Sequence, residues 1–268
     1  STARKPDGSL TRAVRAVLVD GDDAVRQQAL MRVLPVPCLR DNYAYLVVDD
    51  VGRQAVVIDP SEAAPVDAVL ARERLSLRGI LNTHHHGDHV GGNEALVAKH
   101  GCPVVVGFED ALRVPSCTVQ VVDESEQVLD GFRFHAFHVP GHTRGAVTYL
   151  FDDAAFTGDT LFVLGCGRLF EGTADEMFRS LRRLAALPPS TRLYCGHEYA
   201  LSNLAFARTV VPTDALDIYA DRIESRVRCG EPLVPALLAD EIRANPFLRA
   251  ANSEEFRRLR QAKDGFRA

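Results

Sequence analysis

The chain has 268 residues, of which 46% are hydrophobic and 25% charged, enough apolar material for one large domain or two modest ones with no disulfide staples. Its 31 basic and 36 acidic residues give a formal charge of −5, which offers no general attraction to nucleic acid. No apolar run approaches the 18 or so residues of a membrane span. The six cysteines (Cys38, Cys102, Cys117, Cys166, Cys195, Cys229) form no C-x-x-C pair. They read as small buried residues of a reducing compartment, the cytoplasm or an organelle. Nothing calls for a partner chain, so a monomer or weak homo-oligomer is expected.

Residues 1–30 stand apart as an extension of unassigned role. Arg4, Lys5, Arg12 and Arg15 give its start a basic bias that suits a targeting remnant, but Asp20, Asp22 and Asp23 break the pattern. From Met31 onward short strand-like runs dominate: Met31–Val36, Tyr43–Val48, Ala55–Ile58, Gly79–Leu81, Val104–Val106, Thr118–Val122, Phe132–His138, Ala146–Phe151 and Arg192–Cys195. Helical patterns interrupt them at Pro65–Arg74, Asn93–Lys99 and Thr173–Leu187. In the last, Thr173 and Glu176 have capping-box spacing and Pro188 ends the run. After about residue 200 the strand signal disappears. Leu201–Val210, Asp214–Cys229, Pro235–Ala244 and Ser253–Lys263 read as helices, with Asn252 and Glu255 as a further N-cap. The expected division is therefore a mixed α/β part over 31–200 and an all-helical part over 201–268.

Four of the nine histidines fall in Thr83-His84-His85-His86-Gly87-Asp88-His89, directly after the apolar run ending at Leu81. Alternate residues of an extended chain point the same way. His84 and His86 can therefore share one target while His85 points elsewhere. After a turn at Gly87, Asp88 and His89 can address a second point nearby. Imidazole and carboxylate together suit zinc, iron or manganese. His142, Asp159 and His197 each follow a glycine at the end of a strand-like run. Such a residue alone is usually a turn or a cap. With the cluster, the three complete a ligand set for two divalent metal ions, with a carboxylate able to bridge. His100, His135 and His138 have no such setting.

These motifs resemble the metallo-β-lactamase superfamily. The longer strings Thr83–Asn93 (THHHGDHVGGN), Phe156–Gly167 (FTGDTLFVLGCG), Glu171–Met177 (EGTADEM) and Gly196–Tyr199 (GHEY) are similar to the glyoxalase II, or hydroxyacylglutathione hydrolase, family. Asp41-Asn42-Tyr43 and Asn245-Pro246-Phe247 extend the resemblance from Met31 to the C-terminus. It implies an α+β fold, a four-layer αββα sandwich followed by a helical glutathione-binding domain. It also implies that His84, His86 and His142 hold one metal, Asp88, His89 and His197 the other, with Asp159 bridging and Asp59 orienting ligands from behind. Asp88 and Asp159 are then the catalytic carboxylates. Arg168, Phe170, Tyr199, Asn203, Arg260 and Lys263 match substrate-binding positions, Arg260 and Lys263 gripping the glycine carboxylate. Arg168 stands where Lys is usual, Phe170 where Tyr is common and Ala146 where many relatives have His.

The resemblance implies hydrolysis of S-D-lactoylglutathione to glutathione and D-lactate, the second step of methylglyoxal detoxification. Two ions, zinc first and iron or manganese otherwise, would share a hydroxide as nucleophile. A glutathione thiol with a pKa near about 8.5 leaves without a dedicated acid. That agrees with the lack of a G-x-S-x-G elbow. The competing expectation is a mononuclear iron persulfide dioxygenase acting on glutathione persulfide, which would have no use for Asp88, His89 and His197.

Overall fold

The computed structural model describes residues 31–267; the expectation for residues 1–30 lies outside them. The first half runs β1 (Arg32–Cys38), β2 (Asn42–Asp49), β3 (Gln54–Ile58), α1 (Ala63–Glu73), β4 (Ser76–Asn82), α2 (Gly87–Val90), α3 (Asn93–His100), β5 (Val104–Gly107) and β6 (Val119–Val121). Its strands form one sheet in sequence order, antiparallel from β1 to β3 and parallel from β3 to β6. The second half runs β7 (Ser125–Leu129), β8 (Phe132–His138), β9 (Val147–Phe151), β10 (Ala154–Gly158), β11 (Leu161–Phe162), β12 (Gly165–Cys166), α4 (Ala174–Leu184) and β13 (Arg192–Cys195). The helices α5 (Ala200–Val210) and α6 (Thr213–Arg228), the short β14 (Ala236–Leu237), α7 (Leu238–Ala244), α8 (Pro246–Arg249) and α9 (Ser253–Gly265) complete it. The second sheet has the order β14-β13-β10-β9-β8-β7, and β11 pairs with β12 as a separate hairpin.

Strand alternation explains the layers. On β2, Tyr45 and Val47 face the second sheet, where the Tyr45 ring lies 5.5 Å from Phe156 and 5.3 Å from Tyr194. Ala44, Leu46 and Val48 face the other way, onto Val66 and Leu70 of α1 and Leu96 of α3. Both faces are covered, so β2 reads as a continuous apolar run rather than an alternating one. The second sheet repeats the arrangement. Tyr149 points inward and its hydroxyl donates to the carbonyl of Asn82 at 2.9 Å. Phe137 points outward beneath Arg183 of α4, whose guanidinium carbon lies 5.2 Å from the ring centre. The result is the expected four-layer sandwich. Phe206, Phe247 and Phe256 of α5, α8 and α9 join the same core, and Phe256 reaches Phe178 of α4 at 6.4 Å.

The structure corrects several element assignments. Ser125–Leu129 is a strand with no apolar signal because it is an edge strand, paired on one side only and half exposed. Ala154–Gly158 was masked by its alanines and glycine, small residues with weak strand preference that are buried here between β9 and β13. Strand structure does not end at residue 200. Ala236 and Leu237 pair with Leu193 and Arg192, so the helix expected from Pro235 begins only at Leu238. Gly87 opens the short helix α2 instead of a sharp turn.

Both predicted caps form. Thr173 Oγ1 accepts from Glu176 N at 3.2 Å, the Glu176 carboxylate accepts from Thr173 N at 2.7 Å, and Asn252 caps α9 through Glu255 N. Thr173→Ala is expected to lower unfolding free energy by about 1 kcal/mol. A shift in denaturant midpoint measures this, and Thr173→Ser should recover most of it.

Candidate metal centre

The ligand candidates sit at the C-terminal ends of strands, where the chain leaves the sheet and side chains are free to converge. His84 and His86 follow β4, His142 follows β8, Asp159 follows β10 and His197 follows β13, while Asp88 and His89 lie on α2. All seven meet. His84 Nε2 lies 3.0 Å from His86 Nδ1, which lies 3.1 Å from His142 Nε2. His197 Nε2 lies 3.4 Å from both His89 Nε2 and Asp88 Oδ2. Asp159 stands between the groups, Oδ2 at 3.3 Å from His142 Nε2 and Oδ1 at 3.4 Å from His89 Nε2. A tetrahedral ion with bonds of 2.0–2.1 Å separates its ligands by about 3.3 Å, so these spacings fit a cation among the donors. Buried Asp159 Oδ1 has no hydrogen-bond partner among the described residues, which a cation would supply.

Each imidazole that presents Nε2 is held at Nδ1. His84 Nδ1 meets the Thr83 hydroxyl at 3.1 Å, His89 Nδ1 meets Asp59 Oδ2 at 3.0 Å, and His142 Nδ1 meets the Arg168 carbonyl at 2.9 Å. His197 Nδ1 meets Asp41 Oδ1 at 3.0 Å. A proton on Nδ1 leaves the Nε2 lone pair free, so these partners set both ring orientation and tautomer. Asp59 also accepts from Thr83 N and Oγ1. Asp41 was visible in the sequence only as part of Asp41-Asn42-Tyr43. In the structure that hairpin tip pairs with Gly196–Glu198, Asn42 Nδ2 donates to Asp88 Oδ2 at 3.1 Å, and the Tyr43 hydroxyl donates to Glu198 at 2.8 Å. Gly196 is needed for the close approach, since a Cβ there would fall 2.5 Å from Asp159 Oδ1 and 2.7 Å from His89.

Electrostatics divide the two groups. Burial pushes the pKa of His84, His86 and His142 down, so these rings are neutral donors. Burial also opposes charge on His89 and His197, yet neighbouring carboxylates outweigh it and raise both, His197 to about 10. For His89 these are Asp159 and Asp59, and for His197 they are Asp159 and Asp88. This side of the centre attracts positive charge. His85 points away, with its Nδ1 2.9 Å from Asp110. His100 pairs with Asp67, and the His138 ring bonds the Arg144 carbonyl.

The expected substrate residues divide into two sets. Phe170, 62% exposed, lies against His86 and His142 at 5.7 and 5.1 Å, while the Tyr199 ring stacks on His197 at 4.8 Å and 3°. Arg168 is largely exposed, and Lys263 donates to Ser202. Asn203 is buried with Nδ2 on the Val163 carbonyl, and Arg260 is 5% exposed, bonded to the Cys166 carbonyl and to Asp264. Among the described residues no helix is long and apolar enough to cross a bilayer.

Residues 39–197 match the metallo-beta-lactamase superfamily, and residues 198–266 match the hydroxyacylglutathione hydrolase C-terminus. A hydroxyacylglutathione hydrolase of Pelagibacter ubique is 41% identical over 88% of this chain and 100% of its own length. Among solved structures, ETHE1 from Myxococcus xanthus superposes with a TM-score of 0.68 at 29% identity, covering 89% of this chain and 93% of that one. The di-iron-bound form of TTHA1623 superposes at 0.58 with 28% identity, covering 81% of this chain and 100% of that one.

Asp41→Ala should weaken zinc binding at the group built on His89 and His197 by about 10- to 100-fold, the usual effect of removing a carboxylate behind a ligating imidazole. Zinc titration against a chromophoric chelator reads this directly. Unchanged zinc affinity would show that the hairpin plays no part in holding His197.

Proposed function

Because the chain belongs to the hydroxyacylglutathione hydrolases of the metallo-β-lactamase superfamily, we propose that it hydrolyses S-D-lactoylglutathione to glutathione and D-lactate with two divalent ions, zinc first. On this reading residues 31–200 carry the chemistry and residues 201–268 grip glutathione. The observation that carries it is the convergence of seven candidate ligand side chains in two groups sharing Asp159.

When bound, such ions lower the pKa of water towards neutrality and polarise the thioester carbonyl. The chain's own residues do the rest. Thr83, Asp59, Asp41 and the Arg168 carbonyl hold the imidazoles in one tautomer. Asn42 and His197 engage Asp88 Oδ2, leaving Oδ1 to orient the attacking water. Phe170 and Tyr199 form the two walls of the cleft, and Arg168 and Lys263 take the carboxylates of glutathione. A cysteine nucleophile has no support at the centre, because burial pushes Cys166 up to about 11 and Cys195 up to about 12. The complete group of Asp88, His89 and His197 favours hydrolysis over the dioxygenase reading, which leaves those residues idle.

The purified protein should cleave S-D-lactoylglutathione rapidly and consume no oxygen with glutathione persulfide. Oxygen uptake beside a stable thioester would reverse the assignment. His197→Ala should retain one ion in place of two and lose most activity, and full turnover with one ion would sink the two-metal reading.

A pH dependence follows from Lys263, whose ammonium burial and the nearby Arg260 and Arg168 push down to about 8. It is charged below that value, so carboxylate affinity falls as pH rises through it. KM should therefore rise above about pH 8, while Lys263→Arg, which stays charged, should flatten that limb. A wild-type KM that stays level to pH 9.5, roughly 1.5 units above that value, would remove Lys263 from substrate binding.

A further inference from the structure

We propose that Glu241, on a helix remote from the chemistry, is a positioning residue that fixes the turn between β11 and β12 and through it the substrate lip at Arg168 and Phe170. The inference rests on the reading of the cleft given above. The turn is short, and side chains from the helical part hold nearly all of its backbone. Asn203 of α5 donates to the Val163 carbonyl at 2.9 Å. Leu164 N donates to Glu241 Oε2 at 2.9 Å. Asn245 Nδ2 donates to the carbonyls of Phe162 at 3.3 Å and Gly165 at 3.0 Å, and Arg260 donates to the Cys166 carbonyl at 2.7 Å.

Glu241 is the hub. It is 0% exposed, accepts from Asn245 Nδ2 at 2.8 Å through Oε2, and accepts from the Tyr219 hydroxyl at 2.5 Å through Oε1. A carboxylate buried this deeply is costly unless its lone pairs are used. Here they serve to gather α6, α8 and the turn at one point. Leu164 has φ +53°, a left-handed conformation that a branched side chain adopts only where its surroundings enforce it.

The turn has direct contact with the centre. Gly167, just past it, packs on Asp159 so closely that a Cβ there would overlap the Asp159 carbonyl and come within 3.0 Å of His142 Nδ1. The next residue, Arg168, supplies the carbonyl that holds His142, and Phe170 lies on the His142 ring. Displacing the turn therefore displaces Arg168 and Phe170. This also gives Asn203 and Arg260 work on the backbone of the turn.

The test uses the full chain. Glu241→Gln keeps an acceptor for Leu164 N and an amide for the Tyr219 oxygen, and should keep KM for S-D-lactoylglutathione within about twofold. Glu241→Ala should raise KM about tenfold with kcat held within about threefold, since the lip at Arg168 and Phe170 that it releases is the substrate-binding part of the site. Tyr219→Phe removes one donor without opening a cavity, so it folds in any case and should raise KM about threefold. Hydrogen–deuterium exchange provides a readout independent of substrate. Uptake over residues 161–167 should rise selectively in Glu241→Ala and Tyr219→Phe and stay at the wild-type level in Glu241→Gln. Uptake rising evenly along the chain, or wild-type uptake in both disruptive variants, would overturn the clamp. Selective uptake with unchanged KM would separate the turn from the lip and overturn the positioning role. A failed thioester assay on the wild type would instead count against the proposed function, leaving the exchange result standing.

Discussion

A buried carboxylate has to be compensated by hydrogen bonds or by positive charge, and Asp159 receives little from ordinary donors: its surroundings are imidazole nitrogens from two strand ends and from α2. Burial opposes its charge, but His89 and His197 outweigh that and hold its carboxyl well below the usual range. The arrangement is stable only if something cationic lies among these groups, whether protons on His89 and His197 or metal ions. Much of the local architecture keeps this concentration of donors in place. The glycine at 196 lets a strand end come close to the carboxylate, and the partners at Nδ1 stop the rings from turning their lone pairs away.

Those partners show how a sandwich of two sheets builds one site. Asp59 at the end of β3 reaches His89 on α2, and the hairpin between β1 and β2 reaches across to His197 after β13. The backbone of Arg168 reaches His142 after β8. Every ring that presents Nε2 is thus braced by a different element from the one that carries it, apart from His84, which leans on its neighbour Thr83. Such bracing couples the relative position of the two sheets to metal geometry, so packing of Tyr45 and Tyr149 between the sheets bears indirectly on ligation.

What was legible in the sequence follows the same division between local and distant. The seven candidate ligands stood out because chemistry requires those residue types at strand ends, and the caps at Thr173 and Asn252 because capping is decided within four residues. The hairpin residues Asp41 and Asn42 gave no sign of their roles, since their partners lie 156 and 46 positions away. Glu241 fell inside the helix expected over Pro235–Ala244 and Asn245 in the motif after it, and neither showed its role, because a polar side chain facing a buried turn is indistinguishable from one facing water until the turn is placed. Strands β7, β10 and β14 escaped for a related reason: their pairing is dictated by neighbours rather than by their own composition.

The departures at Phe170 and Arg168 bear on what the cleft must preserve. Phe170 keeps a ring against His86 and His142 but has no hydroxyl, so its contribution at this position is a wall that screens two ligands from water, not a hydrogen bond. Arg168 keeps the cation, and its carbonyl does work on His142 that no side-chain change can remove. A backbone group tied to a ligand leaves the side chain at the same position free to vary. On the proposed function, the lip can therefore change its contacts with substrate while the candidate metal centre behind it stays fixed, provided the turn that precedes it is held from the helical side.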